Sequence, residues 1–203
     1  VTYGYEYGCP IDPSVPVVGP QARAVVWNLG GCLHYEGILD TLRNHPLLSR
    51  ADFYFLPAVD IGMARSENRN VARSLALELG CYYYYANCYL NLPSLKAKEN
   101  PNPLGLEGNA ILSRYPLTNL RIVSLANSVD PLRGAVKKIG CDKVLLADVK
   151  LGEKILTLAC VRLSGLSSQA QRAQQMAGIL KRFSDEKIQH AILMAGDFKT
   201  STY

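Results

Sequence analysis

The sequence predicts a mixed α/β protein in which β-sheets pack as a sandwich with helices outside. Three observations lead there. Short apolar runs of strand composition outnumber the amphipathic helical stretches. A hairpin signal, Leu151-Gly152-Glu153 between two apolar runs, coexists with strand-helix-strand passages, which argues against an all-parallel sheet. Polar residues, Asn28 and Asp197 among them, stand at the ends of separate strands, where open α/β sheets carry their chemistry.

Taken in order, residues 1–22 hold Pro10, Pro13, Pro16 and Pro20 with little periodicity, and predict an extended arm without regular structure. Tyr3, Tyr5 and Tyr7 alternate within it and could line a strand, a contact surface or a solvated tail. Ala22–Leu29 is the first strand. It ends at Asn28 and the Gly30-Gly31 turn, which lets backbone pass close to a neighbour. Residues 36–48 form an amphipathic helix broken at Pro46. Asp52–Val59 is a strand, followed by a loop in which Arg65 is placed to pair with Asp60. Asn68 caps a helix from about Arg69 to Leu79, and Gly80 stops it. Cys81–Tyr85 is a tyrosine-rich strand, whose rings suit packing better than base stacking.

Residues 93–107 read as loop. Further strands are Gly108–Arg114, Arg121–Leu125, Lys143–Lys150 and Lys154–Val161. A helix from about Ser168 to Phe183 precedes the last strand, Ala191–Ala195, which delivers Gly196 and Asp197.

Composition bounds the function. The 203 residues suffice for one domain with a sizeable core, at 48% apolar and 19% charged. A net charge of +5 favours a polyanionic partner without identifying one. No apolar run approaches the ~18 residues of a membrane span, and no charged-then-apolar leader opens the chain. The six cysteines include no Cys-x-x-Cys pair, which argues against a zinc cage. Free thiols in a reducing, cytoplasmic setting are expected. His34, His45 and His190 show no ligand spacing with acidic residues or cysteines.

Five stretches in order resemble the endonuclease/exonuclease/phosphatase superfamily, in its bacterial branch. They are Trp27-Asn28-Leu29 with Gly30-Gly31, Leu56-Pro57-Ala58-Val59-Asp60, Gly62 to Asn70, Gly108 to Arg114, and Gly196-Asp197-Phe198-Lys199-Thr200. The resemblance implies a four-layer α/β sandwich with two mixed β-sheets over residues 23–203. It also implies that the last strands of the second sheet are missing beyond Tyr203. The family's chemistry is metal-assisted phosphoester hydrolysis. A hard cation such as Mg²⁺ takes oxygen ligands, an Asp directs the attacking water, and a His steadies developing charge. The resemblance implies that Asn28, with a Glu of the second strand, holds the metal and that Asp197 directs the nucleophile.

The sequence departs from that pattern around its retained Asn28, Asn109 and Asp197. Ala58 replaces the metal-binding Glu, Glu107 the usual His, Arg162 a second His, and Lys199 the Asn after Asp197-Phe198. Removing a carboxylate and adding cations both disfavour a divalent ion. Two unit charges ~4 Å apart interact by about 4 kcal/mol at an effective dielectric of ~20. Glu107 and Asp60 are the candidates to rescue a metal site. The expectation is therefore a catalytically inactive relative with no cofactor, serving as a structural or accessory subunit among other proteins. Two alternatives stay open. One is a non-cleaving module that binds phosphate or nucleic acid through Arg65, Arg162 and Lys199. The other is a weak phosphodiesterase that retains Mg²⁺.

Overall fold

The computed structural model describes residues 4–11, 15–19, 21–92, 105–127, 130–133 and 137–200. Tyr3 and part of the predicted 93–107 loop lie outside them. The strands are β1 (Tyr5–Gly8), β2 (Ala24–Val26), β3 (Phe53–Ile61), β4 (Tyr82–Asn91), β5 (Leu106–Ser113), β6 (Thr118–Ser124), β7 (Lys138–Gly140), β8 (Lys143–Leu151), β9 (Lys154–Arg162) and β10 (Ala191–Asp197). The helices are α1 (Tyr35–Asn44), α2 (Val71–Leu79) and α3 (Gln169–Asp185).

Among the described residues the strands form two sheets. The first has six strands in the order β1-β4-β5-β3-β2, with β7 also on β4. The second has four, in the order β10-β9-β8-β6. Both are mixed: β2 runs parallel to β3 and β10 parallel to β9, while the other pairs are antiparallel.

Side-chain alternation builds the layers. Successive residues of a strand point to opposite faces. On β3, Tyr54 and Leu56 face α1 and α2, where they meet Leu39, Leu42 and Leu75. Phe53 and Phe55 face the second sheet, where they meet Leu145, Leu158 and Cys160. The four consecutive tyrosines of β4 divide in the same way, Tyr83 and Tyr85 outward, Tyr82 and Tyr84 inward. All four are buried, so packing and not base stacking is their role. The far face of the second sheet, with Val144, Leu146 and Val161, is covered by Ile179 and Phe183 of α3. The result is a helix-sheet-sheet-helix stack.

Local chemistry sets the element ends. The Asn70 side chain accepts from the backbone N–H of Arg73, so the cap of α2 sits two residues later than the expected Asn68. Gly80 closes that helix with φ of 63°. Ser168 and Gln171 form a reciprocal capping box at the start of α3.

The expectation of an arm without regular structure is corrected at residues 5–8. Tyr5, Glu6, Tyr7 and Gly8 pair antiparallel with Ala86, Tyr85, Tyr84 and Tyr83 of β4. The arm's alternation is thus a strand signal, hidden by the nearby prolines. The first predicted strand shrinks to three residues at the sheet edge. Strand β7, in a Lys-Lys-Ile-Gly stretch too short to show a period, was not anticipated.

Leu145→Ala opens a void at the centre of the inter-sheet core, where Leu145 is fully buried. The expected loss is about 2–5 kcal/mol of unfolding free energy, read by urea denaturation.

Candidate functional site

The residues singled out by sequence gather where β3, β9 and β10 end and β5 begins, at one mouth of the sandwich. Three local devices place them. A bulge between Leu56 and Val59 interrupts the pairing of β3 with β5 and contains Pro57 and Ala58. Ala58 adopts φ of 62°, a left-handed conformation, and its N–H donates to Asn109 Oδ1 at 3.2 Å. Gly196, with φ of 146°, crosses β9 so closely that an added Cβ would lie 1.9 Å from the carbonyl oxygen of Val161. That crossing aims Asp197 at the mouth. The Gly30-Gly31 turn completes the rim: both glycines have positive φ, and Arg65 lies against Gly31.

One cluster joins Asn28, Asp197 and Lys199. Asn28 donates its amide to Asp197 Oδ2 at 2.9 Å, and its own Oδ1 accepts from the Gly30 N–H at 3.1 Å. Lys199 Nζ pairs with the same Asp197 oxygen at 2.5 Å, and the Lys199 N–H donates to Oδ1 at 3.1 Å. Burial pushes the Asp197 carboxyl upward, but the bonds from Lys199 and Asn28 outweigh it and hold the group below the usual range.

A second cluster centres on Glu107, which is 4% exposed. Its Oε1 accepts from Arg162 Nη1, its Oε2 pairs with Lys138 Nζ at 2.9 Å, and Arg65 Nη2 stands 3.6 Å from Oε2. Arg65 itself makes a two-point bond to the buried Asp60, at 2.7 and 2.8 Å. The expected Asp60–Arg65 pair is therefore present. Burial opposes ionisation of Glu107, but Arg162 and Lys138 prevail and set its pKa at about 2. Asp60 goes the other way: burial raises it more than Arg65 lowers it.

Asn109 is fully buried between the clusters. It accepts from Ala58 and donates to the Lys143 carbonyl at 2.7 Å. Both ends of its amide serve the scaffold.

Outside these clusters a cavity of about 610 Å³ opens, lined by Tyr89, Arg133, Lys138, Asp142, Arg162 and Lys199 among others. Of the three cations proposed from sequence, Arg162 and Lys199 line it, while Arg65 stands behind them. Sequence reasoning missed Lys138, Tyr89 and Asp142. No motif marks them, since β7 and the register of β4 bring them in. Among the described residues no group of three or more His, Cys, Asp or Glu side chains is placed to hold a metal ion.

No family model and no curated protein matches the chain. Solved structures do. An endonuclease/exonuclease/phosphatase protein from Beutenbergia cavernae superposes with a TM-score of 0.59 at 18% identity, covering 88% of this chain and 47% of that one. The human Nocturnin catalytic domain, solved with a bound sulfate anion, gives 0.59 at 16% identity, with 89% and 64% covered. TDP2 from Caenorhabditis elegans gives 0.53 at 14%, with 89% and 48% covered. The chain thus spans about half to two thirds of the length of the structures it matches.

Glu107→Gln should cost about 3–5 kcal/mol at pH 7, the range for breaking a buried ion pair. Because the folded pKa of Glu107 lies below its usual 4.5, its stabilisation is full above about pH 4.5 and is lost as pH falls towards about 2. The variant should therefore show a flatter acid limb in denaturation measured across that window.

Similarity at this level of identity is a likeness of fold, and the fold of this chain is that of the endonuclease/exonuclease/phosphatase superfamily.

Proposed function

We propose that this chain is a nuclease/phosphatase-like domain that has lost its reaction and serves as an accessory or structural subunit of a larger assembly. The observation that carries the reading is the internal pairing of the site's charges. A Mg²⁺ ion needs several oxygen ligands free to turn towards it. Here Asp197 is held by Lys199 and Asn28, Glu107 by Arg162 and Lys138, and Asp60 by Arg65. Ala58 offers no ligand where the family has a carboxylate. The two rescue candidates are both spent on cations, so the residues present do not fit a divalent metal, and we derive no hydrolytic step through one.

A non-cleaving anion site is the competing reading, favoured by the cations that line the cavity. The charge count weighs against it. Arg133, Lys138, Arg162 and Lys199 are matched by Asp130, Glu107, Asp142 and Asp197 at the same mouth. A phosphate would have to displace an existing carboxylate partner to gain a cation.

Hydrolysis of a simple phosphodiester such as bis(p-nitrophenyl) phosphate, with Mg²⁺ or Mn²⁺ present, should not exceed that of Asp197→Ala. Metal-dependent turnover that disappears in Asp197→Ala would overturn the reading. Isolation of the protein from its own source should yield a complex of fixed composition, with an interface of ~1,200 Å² or more; a monomer would remove the accessory role.

The double variant Ala58→Glu with Lys199→Asn should gain Mn²⁺ affinity, measured by calorimetry, because it restores one carboxylate and frees Asp197. No gain would count against the assignment of the pocket.

A further inference from the structure

A second cavity, of about 280 Å³, lies on the helix-facing side of the first sheet, where β1 and β4 meet the turn before α2. Its apolar wall is Ile61 and Leu106, which are the chain neighbours of Asp60 and Glu107 but face the opposite way. Tyr5 borders the cavity, while its ring packs edge-on against Tyr84 on the other face of the sheet. The polar wall is Glu6, Asn68, Asn70 and Tyr85.

Two of these groups carry unused hydrogen-bonding capacity. Tyr85 is 2% exposed, and its Oη has no hydrogen-bond partner among the described residues. Buried hydroxyls in that state are rare, and each calls for an explanation. The phenol is accommodated by Gly108, where an added Cβ would come within 2.7 Å of Tyr85 Oη. Burial keeps that phenol neutral, so it can donate or accept. Glu6 accepts from Tyr83 Oη through one carboxylate oxygen and from Asn70 Nδ2, at 2.8 Å, through the other. Both donors are neutral. A carboxylate has about four lone-pair sites, so room remains for charged donors.

We propose that this cavity binds the ammonium end of a short aliphatic chain, presented either by a free alkylamine or by a lysine side chain. An ammonium has three donors and no acceptor. It can bridge the remaining Glu6 lone pairs and the Tyr85 oxygen. The methylene chain lies along Ile61 and Leu106. An anion is repelled by Glu6. A purely apolar ligand leaves both polar groups unsatisfied. The volume far exceeds what one water needs.

The test titrates the full chain with n-butylammonium, with n-butanol as the neutral control of the same length. The expected result is saturable binding at least tenfold tighter than butanol. Tyr85→Phe keeps the ring and its packing but removes the hydroxyl. It should raise the melting temperature of the unliganded protein and weaken butylammonium binding about three- to tenfold. Glu6→Gln should weaken it at least tenfold; where that change also loosens β1, Tyr85→Phe still reads the site. Equal affinity for the amine and the alcohol, absence of saturation, or binding unchanged in Tyr85→Phe would overturn the proposal. So would a lowered melting temperature in Tyr85→Phe, since the hydroxyl would then be satisfied by a trapped water. A lysine peptide that binds more tightly than butylammonium, and loses affinity on lysine acetylation, assigns the ligand to a protein; the reverse order assigns it to a free amine.

Discussion

The mouth of this sandwich depends on one carboxylate. Glu107 belongs to the first sheet, and Arg162, which it holds, belongs to the second. Lys138 arrives from β7 and Arg65 from the turn after β3. Bringing a carboxylate into such a buried place costs several kcal/mol, and only cations close on several sides can offset it. That requirement fixes the rest. Arg65 is shared between Asp60 and Glu107, Arg162 also acts on the buried Asp142, and Lys138 ties the short strand β7 to the rim. Reaction centres hold charges aimed at a ligand. Here the charges are aimed at one another, and the same geometry that closes the sandwich pairs the charged groups of its mouth.

The body below the mouth follows different rules. Its three apolar clusters are ordered by strand and helix periodicity, and their members are nearly all aliphatic or aromatic. Nothing in them depends on the identity of the residues at positions 58, 107, 162 or 199. Fold and site are therefore separable in this protein, as the layered sandwich keeps its core away from the strand ends. A lineage can rewrite the ends while the layers persist.

The layers were legible in the sequence because their signals are local and repeated. The apolar run of β3, the Gly80 stop and the Ser168 start each require only a few neighbouring residues. Strands β1 and β7 were not legible. One is masked by prolines around it, and the other has three residues and draws its stability from pairing with β4. The site divides in the same way. Asn28, Asn109 and Asp197 stand out by motif, and the Asp60–Arg65 pair by sequence proximity. Lys138 lies 31 residues from Glu107 and 24 from Arg162, with no motif to join them, so only the folded register brings them together. The buried Tyr85 hydroxyl was equally silent, because a tyrosine in a run of four reads simply as strand.

The docking of β1 carries a consequence for the order of folding. Tyr7 pairs with Tyr84 across most of the first half of the chain, whereas β8 and β9 are joined by a two-residue turn. Closing a long loop costs chain entropy before any contact repays it. The hairpin is thus placed to form early and the N-terminal strand to arrive late, onto a sheet already assembled. Until it arrives, the outer edge of β4 lies open along the tyrosines that β1 later pairs with. A segment that docks onto a sheet already assembled acts as a latch on that edge.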